Sequence, residues 1–198
     1  MSAAPEARRA ALIAIGCSAG GPPALQEILP VLPSGTGASV VVAQHMPGRF
    51  TTLFAERLAR ACELPVSEAA DGEPLRAARI YIAPGGRQTI LEASPSGPIF
   101  RVRPRLPGER YAPSADLLMA SAAALFGRRA LGVVMTGMGD DGVAGLRAIK
   151  AHRGRTIVES EATAAVFGMP REAIRRGLAD LVLPRPEIAA ELASACRK

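Results

Sequence analysis

One serine in the sequence has surroundings that suit a nucleophile. Residues 16–20 read Gly-Cys-Ser-Ala-Gly, which fits the G-x-S-x-G pattern of a nucleophile elbow with Ser18 at its centre. The apolar residues 12–15 before it and the helical spacing after it predict a strand, a tight turn and a helix. A helix N-terminus beside the hydroxyl offers free N–H groups and a partial positive charge to an anion forming there. Ser18 is therefore the candidate nucleophile.

The same glycine-rich turn has other interpretations. Such a turn after the first strand of an α/β domain often cradles a phosphate, or only reverses the chain. The phosphate-binding patterns fit poorly, because the chain has neither G-x-G-x-x-G nor the Lys-Ser/Thr pair that closes a P-loop. Cys17 is a conceivable nucleophile, but the elbow places Ser18 at its exposed apex. The five-residue match alone leaves a catalytic serine and a plain turn equally open.

A serine hydroxyl needs a base to accept its proton, and the chain has only two histidines. His45 follows residues 39–43, whose β-branched run predicts a buried strand, so we expect it at the carboxyl end of a parallel strand, where open α/β sheets place their ligands. His152 lies in a basic segment at the predicted end of a helix, where histidines are usually solvated. His45 is therefore the candidate base.

An acidic pair follows another predicted strand, residues 131–135. Asp140 and Asp141 lie in a second glycine-rich turn, which leads into the predicted helix of residues 143–150. A carboxylate at this rim could orient the histidine and stabilise its charged form. Either aspartate could instead cap the helix, and for each residue taken alone capping is the better explanation.

The order of these residues along the chain also distinguishes between classes of serine hydrolase. Ser18, His45 and Asp141 run serine, histidine, acid, whereas α/β-hydrolases run serine, acid, histidine. The order therefore argues against an ordinary lipase-like esterase.

The succession of predicted elements defines the fold class as α/β: a doubly wound, mostly parallel sheet with helices on both faces. Residues 89–91 and 99–102 predict an antiparallel hairpin, so the sheet is expected to be mixed. Thr51 is expected to cap the second helix, with Leu53 on its inner face, and Ser114 to cap a later one.

Composition restricts the class of protein further. The chain has 198 residues, 48% of them hydrophobic and 21% charged, which suits one compact domain over residues 11–198 after a short tail of residues 1–10. No apolar run approaches about 18 residues and no signal-type core is present, so we expect a cytoplasmic protein without membrane insertion. The three separated cysteines indicate neither a disulfide framework nor a zinc site. The net charge of +6 comes from scattered arginines without a nucleic-acid motif, so no nucleic-acid partner is expected.

Six blocks of the sequence together resemble the catalytic domain of the chemotaxis protein-glutamate methylesterases (CheB type). In order, they are residues 15–21, 44–51, 81–85, 113–116, 136–142 and 167–173. The resemblance spans about residues 11–195, and six blocks in order are far more specific than any one of them. It implies that Ser18 is the nucleophile, His45 the general base, and Asp141 rather than Asp140 the carboxylate that orients the histidine.

The resemblance also implies a reaction. The substrate would be glutamate γ-methyl esters on the cytoplasmic helices of methyl-accepting chemoreceptors, with deamidation of certain receptor glutamines as a second activity. No metal or organic cofactor is expected. Backbone N–H groups near Ala19 and Met138 are expected to form the oxyanion hole.

Family members commonly carry an N-terminal receiver domain, whereas about ten residues precede the first predicted strand here, so the chain is either a fragment or a stand-alone enzyme. Three alternative functions stay open at this point. The chain could be a stand-alone esterase of a signalling system other than chemotaxis, a non-catalytic module whose Ser18 turn holds an anion, or an esterase for small molecules.

Overall fold

The computed structural model describes residues 10–196, so the predicted N-terminal tail lies almost wholly outside the described residues. The strands in this range are β1 (Leu12–Cys17), β2 (Ser39–Gln44), β3 (Val66–Glu68), β4 (Arg79–Ile82), β5 (Arg87–Glu92), β6 (Ile99–Pro104), β7 (Ala130–Val134), β8 (Arg155–Glu159) and β9 (Leu181–Leu183). The helices are α1 (Gly21–Ile28), α2 (Gly48–Ala59), α3 (Ala115–Phe126), α4 (Val143–Ala151), α5 (Met169–Arg175) and α6 (Arg185–Cys196).

Seven strands form one sheet in the order β3-β4-β2-β1-β7-β8-β9. Every strand pair within it is parallel. Strands β2, β4 and β3 lie in that order on one side of β1, and the chain then returns to the other side of β1 with β7. The strand order therefore reverses between β1 and β7, and open α/β sheets form their ligand crevice at the carboxyl ends of the strands at such a point.

The central strands are buried on both faces, which explains their continuous apolar sequences. On one face, Ile13 and Ile15 of β1 pack with side chains of α1, α2 and α6. On the opposite face, Leu12 and Ala14 pack with α3, α4, α5 and the β5–β6 hairpin. Helices on both faces of a parallel sheet confirm the predicted doubly wound fold class.

The prediction of a mixed sheet was wrong. The antiparallel hairpin exists, but β5 and β6 pair only with each other and form a separate two-stranded sheet. This hairpin packs on α3, and the backbone N–H of Leu91 donates to Ser121 Oγ at 3.0 Å. Its apolar side chains Leu91 and Phe100 join the core on the α3 side, so the hairpin buries its inner face without joining the main sheet.

The second helix begins earlier than predicted. Pro47 is its N-cap residue, and Thr51 lies inside the first turn, where its hydroxyl donates to Gly48 O at 2.7 Å. Thr51 Oγ1 also accepts from the N–H of Gly85 at 3.0 Å, which ties α2 to the loop after β4. Leu53, predicted to face inward, is 60% exposed.

The predicted cap of the third helix is confirmed. Ser114 is the N-cap residue of α3, and its Oγ accepts from the backbone N–H of Leu117. Capping depends on a side chain and a backbone group only three residues apart, so the local sequence is sufficient to predict it. Across residues 10–196, no helix is both long enough and apolar enough to cross a membrane.

Candidate active site

Three chain segments meet at the carboxyl ends of the central strands. Ser18 directly follows β1, His45 directly follows β2, and Asp141 lies in the loop between β7 and α4. Because β1 lies between β2 and β7, the three segments are neighbours across the sheet edge. The N–H of Ser18 donates to Thr136 O at 2.9 Å, and the N–H of His45 donates to Cys17 O at 3.0 Å.

The elbow at Ser18 depends on a backbone conformation that glycine favours. Gly20, the N-cap residue of α1, has φ of 80°. This is the left-handed region, where other residues are strained. A Cβ atom there would also lie 2.6 Å from the side chain of Ala165. Gly20 thus lets the chain turn sharply from β1 into α1 with Ser18 at the apex.

Buried Gln44 joins the Ser18 and His45 segments. Its Nε2 donates to Ser18 O at 2.9 Å and to His45 O at 3.1 Å. Its Oε1 accepts a hydrogen bond from Cys17 Sγ at 3.1 Å. One amide therefore fixes the backbone on both sides of the site.

His45 and Asp141 form a hydrogen-bonded pair. His45 Nε2 and Asp141 Oδ2 are 2.7 Å apart, and the side chains are 15% and 0% exposed. Since Nε2 is engaged, Nδ1 is the ring nitrogen left to accept a proton. Within residues 10–196 the Ser18 hydroxyl makes no hydrogen bond to His45; catalytic contacts are often loose in unliganded sites and tighten on binding.

Asp141 caps a helix, but not the helix that the sequence suggested. It accepts hydrogen bonds from Ala115 N at 2.7 Å, from Asp116 N at 3.0 Å and from Ser114 Oγ at 3.0 Å. These donors belong to the start of α3. Burial raises the pKa of Asp141, but the hydrogen bonds from His45 and from the Asp116 and Ala115 N–H groups outweigh it, so the pKa lies below the ordinary value. Asp141 is therefore ionised at neutral pH.

Asp116 caps α4 in return. Its Oδ1 accepts from Gly142 N at 2.8 Å and from Gly145 N at 2.7 Å. Asp116, in the first turn of α3, thus accepts from N–H groups at the start of α4, and Asp141, just before α4, accepts from N–H groups at the start of α3. These reciprocal hydrogen bonds hold α3 against α4 beside the site. Burial, with a smaller contribution from the nearby charge of Asp141, raises the pKa of Asp116 and the N–H groups lower it, so that its pKa is about 6.

The raised pKa of Asp116 predicts a dependence of stability on pH. Asp116→Asn keeps an oxygen to accept from Gly142 and Gly145 but cannot ionise. Because folding raises the pKa of Asp116, its contribution to stability is fully present below about pH 4 and is lost as the pH rises through about 6. The free energy of unfolding of the variant, minus that of the wild type, should therefore increase from pH 4 to pH 6 and be constant above about pH 7.

Urea unfolding between pH 4 and pH 8 measures this difference. Asp180→Asn is the control. Burial raises the pKa of Asp180, but hydrogen bonds from Lys150 and Thr156 outweigh it and the pKa is lowered, so its stabilising contribution is present above about pH 4 and is lost mainly at lower pH. The difference for this variant should therefore not increase between pH 4 and pH 8. A pH-independent difference for Asp116→Asn would contradict the prediction.

The other candidates from the sequence are placed differently. His152 is exposed at the end of α4, where its Nδ1 lies 2.9 Å from Ala148 O. Asp140 is bound by Arg110 and Tyr111 instead of His45. Burial, with a smaller contribution from the charge of Glu159, raises the pKa of the Cys17 thiol, so it does not become a reactive thiolate.

The expected oxyanion-hole residues belong to the two loops that meet at Ser18. Ala19 follows it directly, and Met138 lies in the β7–α4 loop, 72% exposed. The preceding residue, Gly137, packs so closely that a Cβ there would lie 2.8 Å from Ser18 Cβ. In the described part of the chain, the backbone N–H groups of Ala19 and Met138 donate to no protein acceptor. Their role as an oxyanion hole stays a prediction.

Two residues beside the site, Gln88 and Tyr111, were not found by sequence reasoning. The ring of Tyr111 stacks on that of His45, with centroids 4.8 Å apart and planes inclined by 8°. Both residues line a cavity of about 290 Å³, which is also bordered by Asp116 and Asp141. No spacing or motif marks them, because Gln88 lies on the hairpin and Tyr111 on the loop that follows it, and only the fold brings both to the site. Among residues 10–196 there is no group of three or more His, Cys, Asp or Glu side chains placed to hold a metal ion.

A doubly wound parallel sheet with an elbow serine beside a histidine–aspartate pair is typical of serine hydrolases that are built on an α/β fold. Comparison with known families agrees: the chain belongs to the CheB methylesterase family, whose model matches residues 13–192. This confirms the resemblance found in the sequence.

Individual relatives give the same result. The chain is 48% identical over 192 residues to "Protein-glutamate methylesterase/protein-glutamine glutaminase 3" of Geobacter sulfurreducens, a match that covers 96% of this chain and 51% of the relative. It is 44% identical over 193 residues to "Protein-glutamate methylesterase/protein-glutamine glutaminase" of Lawsonia intracellularis, covering 98% and 54%. The chain therefore spans about half the length of the curated relatives it matches.

A solved structure matches more completely. The crystal structure of the Thermotoga maritima CheB methylesterase catalytic domain superimposes with a TM-score of 0.90 at 38% identity, covering 93% of this chain and 98% of that one. The described chain therefore has the fold of a CheB catalytic domain.

Proposed function

We propose that this chain hydrolyses the γ-methyl esters of glutamate side chains on chemoreceptor cytoplasmic helices and releases methanol. The observation that carries the proposal is the 2.7 Å pair of His45 and Asp141 beside the elbow serine of a CheB-family chain. Deamidation of receptor glutamines is the same acyl transfer with ammonia as the leaving group. Because the substrate helices are cytoplasmic, we place the protein in the cytoplasm.

In the proposed first step, Ser18 Oγ attacks the ester carbonyl carbon while His45 Nδ1 accepts the hydroxyl proton. Asp141 keeps the other ring nitrogen protonated and stabilises the imidazolium that forms. The N–H groups of Ala19 and Met138 donate to the negatively charged carbonyl oxygen of the tetrahedral intermediate. His45 then gives its proton to the departing methoxide, which leaves as methanol.

The second step regenerates the enzyme. Water attacks the acyl-enzyme, His45 accepts a proton from it, and the collapse of the second intermediate returns the proton to Ser18. The receptor side chain is left as glutamate. Every proton transfer and every contact with a developing charge in this scheme is made by a side chain, a backbone N–H group or water.

The ionisation of Asp141 supports this scheme. Three donors from α3 hold its carboxylate independently of the histidine, and its pKa lies below the ordinary value. The negative charge is thus in place before the imidazolium forms. A charge fixed in advance needs no reorganisation during the reaction, which is the main source of electrostatic catalysis.

Methanol release from three substrates tests the proposal. They are a methylated chemoreceptor cytoplasmic fragment, the same fragment without methyl groups, and free glutamate γ-methyl ester. We expect kcat/KM for the methylated fragment to exceed that for the free ester by at least about 100-fold, because remote contacts with the helix lower the barrier. Equal values would instead favour a small-molecule esterase.

One further outcome would contradict the proposal. No release from either ester would favour the non-catalytic module that holds an anion at the Ser18 turn. The unmethylated fragment is the control for contaminating methanol and should release none.

A further inference from the structure

The ring that stacks on His45 belongs to a loop with several independent restraints. Tyr111 Oη donates to Asp140 Oδ1 at 3.2 Å, and Arg110 Nη1 donates to the same oxygen at 3.3 Å. The Arg110 guanidinium carbon also lies 5.1 Å from the centroid of the Tyr111 ring. The phenol is therefore held at its tip as well as along its face.

Buried Gln88 of the hairpin holds the backbone of the same loop. Its Nε2 donates to Tyr111 O at 2.7 Å, and its Oε1 accepts from Ser114 N at 3.0 Å. Ser114 in turn donates to Asp141 Oδ1 at 3.0 Å. One amide from β5 thus links the residue that stacks on His45 with a residue that binds Asp141.

The imidazole needs such a restraint. Its Nε2 contact with Asp141 fixes one atom of the ring, but the ring plane can still tilt about that contact. A parallel aromatic neighbour restricts this tilt, and offset stacking contributes beyond the burial of area. The direction of Nδ1, the atom that must meet the Ser18 proton, depends on the ring plane.

We infer that Tyr111 is a positioning residue for His45: its stacked ring holds the imidazole so that Nε2 stays on Asp141 while Nδ1 is aimed at Ser18. The inference rests on the proposed function for its kinetic consequence. It has a structural consequence of its own, a single well-defined orientation of the His45 ring plane.

The kinetic test uses Tyr111→Phe and Tyr111→Ala, with Tyr81→Phe as the matched control. Tyr81 is the only other tyrosine, and it packs on Phe100 in the core. Tyr111→Phe keeps the stack, so kcat should stay within about threefold of wild type. Tyr111→Ala should lower kcat by about 10- to 100-fold and change KM by less than about threefold, because the loss is one of orientation. Tyr81→Phe should leave both constants unchanged.

A spectroscopic test distinguishes failure of this inference from failure of the proposed function. In an untagged His152→Gln background, His45 is the only histidine, so long-range ¹H–¹⁵N spectra report its ring alone. We expect a protonated Nε2 and an unprotonated Nδ1 in all three proteins, because the contact with Asp141 remains. The ring signals should be sharp in the background protein and in Tyr111→Phe, and broadened in Tyr111→Ala, where the ring plane is free to tilt. Equally sharp ring signals in Tyr111→Ala would overturn the inference whether or not the protein is an esterase. So would a rise in KM with constant kcat, since Tyr111 would then contact substrate.

Discussion

Ser18→Ala is expected to lower methanol release from a methylated receptor fragment by at least about 10⁴-fold, since removal of the triad nucleophile from other hydrolases lowers kcat by this much or more. In the proposed reaction the hydroxyl supplies the electron pair that attacks the ester, and alanine offers no replacement. The fold should persist, because the restraints on residue 18 come from its backbone: the N–H donates to Thr136 O and the carbonyl accepts from Gln44.

Ser160→Ala is the matched control. Ser160 directly follows β8, as Ser18 follows β1, and its buried hydroxyl has no hydrogen-bond partner in residues 10–196. Its removal should leave methanol release unchanged. Wild-type and variant proteins would be compared in initial-rate assays, with thermal unfolding as a check on folding. Retention of more than about a tenth of the activity by Ser18→Ala would exclude Ser18 as the nucleophile.

His45→Gln is expected to have an effect of similar size, again about 10⁴-fold on kcat. Glutamine is close to histidine in length and can donate to Asp141, but its amide does not accept a proton at neutral pH. Ser18 would then attack as a neutral hydroxyl. The expected loss is in kcat, because the missing proton transfer belongs to the transition state and not to substrate binding.

His152→Gln provides the comparison for this prediction. The chain has two histidines, and His152 lies exposed at the end of α4, so its replacement should leave kcat within about twofold of wild type. Single-turnover measurements with both variants would separate the chemical step from product release. Equal losses for the two variants, or none for His45→Gln, would show that His45 is not the base.

Asp140 and Asp141 show the limit of sequence reasoning at the site. Both follow the same strand, and both are suited to cap the next helix, so residue type and spacing do not separate them. In the structure Asp141 is buried against the start of α3 and binds His45, whereas Asp140 is bound by Arg110 and Tyr111. These partners come from segments that are distant in sequence. Only the resemblance to a known family favoured Asp141 beforehand.

The wrong predictions share one cause, which is competition from long-range contacts. Leu53 was expected to face inward from a helix capped by Thr51, but α2 begins at Gly48, and Leu53 lies on its exposed face. Thr51 instead binds the loop after β4. The hairpin was expected to join the main sheet, yet packing on α3 buries its apolar side chains without further strand pairing.

By itself, the sequence determined the features that depend on neighbouring residues: the apolar strands, the elbow at Ser18, the Ser114 cap and the placement of His45 at a strand end. Local backbone preference and side-chain periodicity are sufficient for these. Only the tertiary structure decided that Asp141 binds His45, that Asp116 and Asp141 cap each other's helices, and that Tyr111 stacks on the imidazole. Such contacts join segments tens of residues apart, and their geometry exists only after the two cores have brought the segments together.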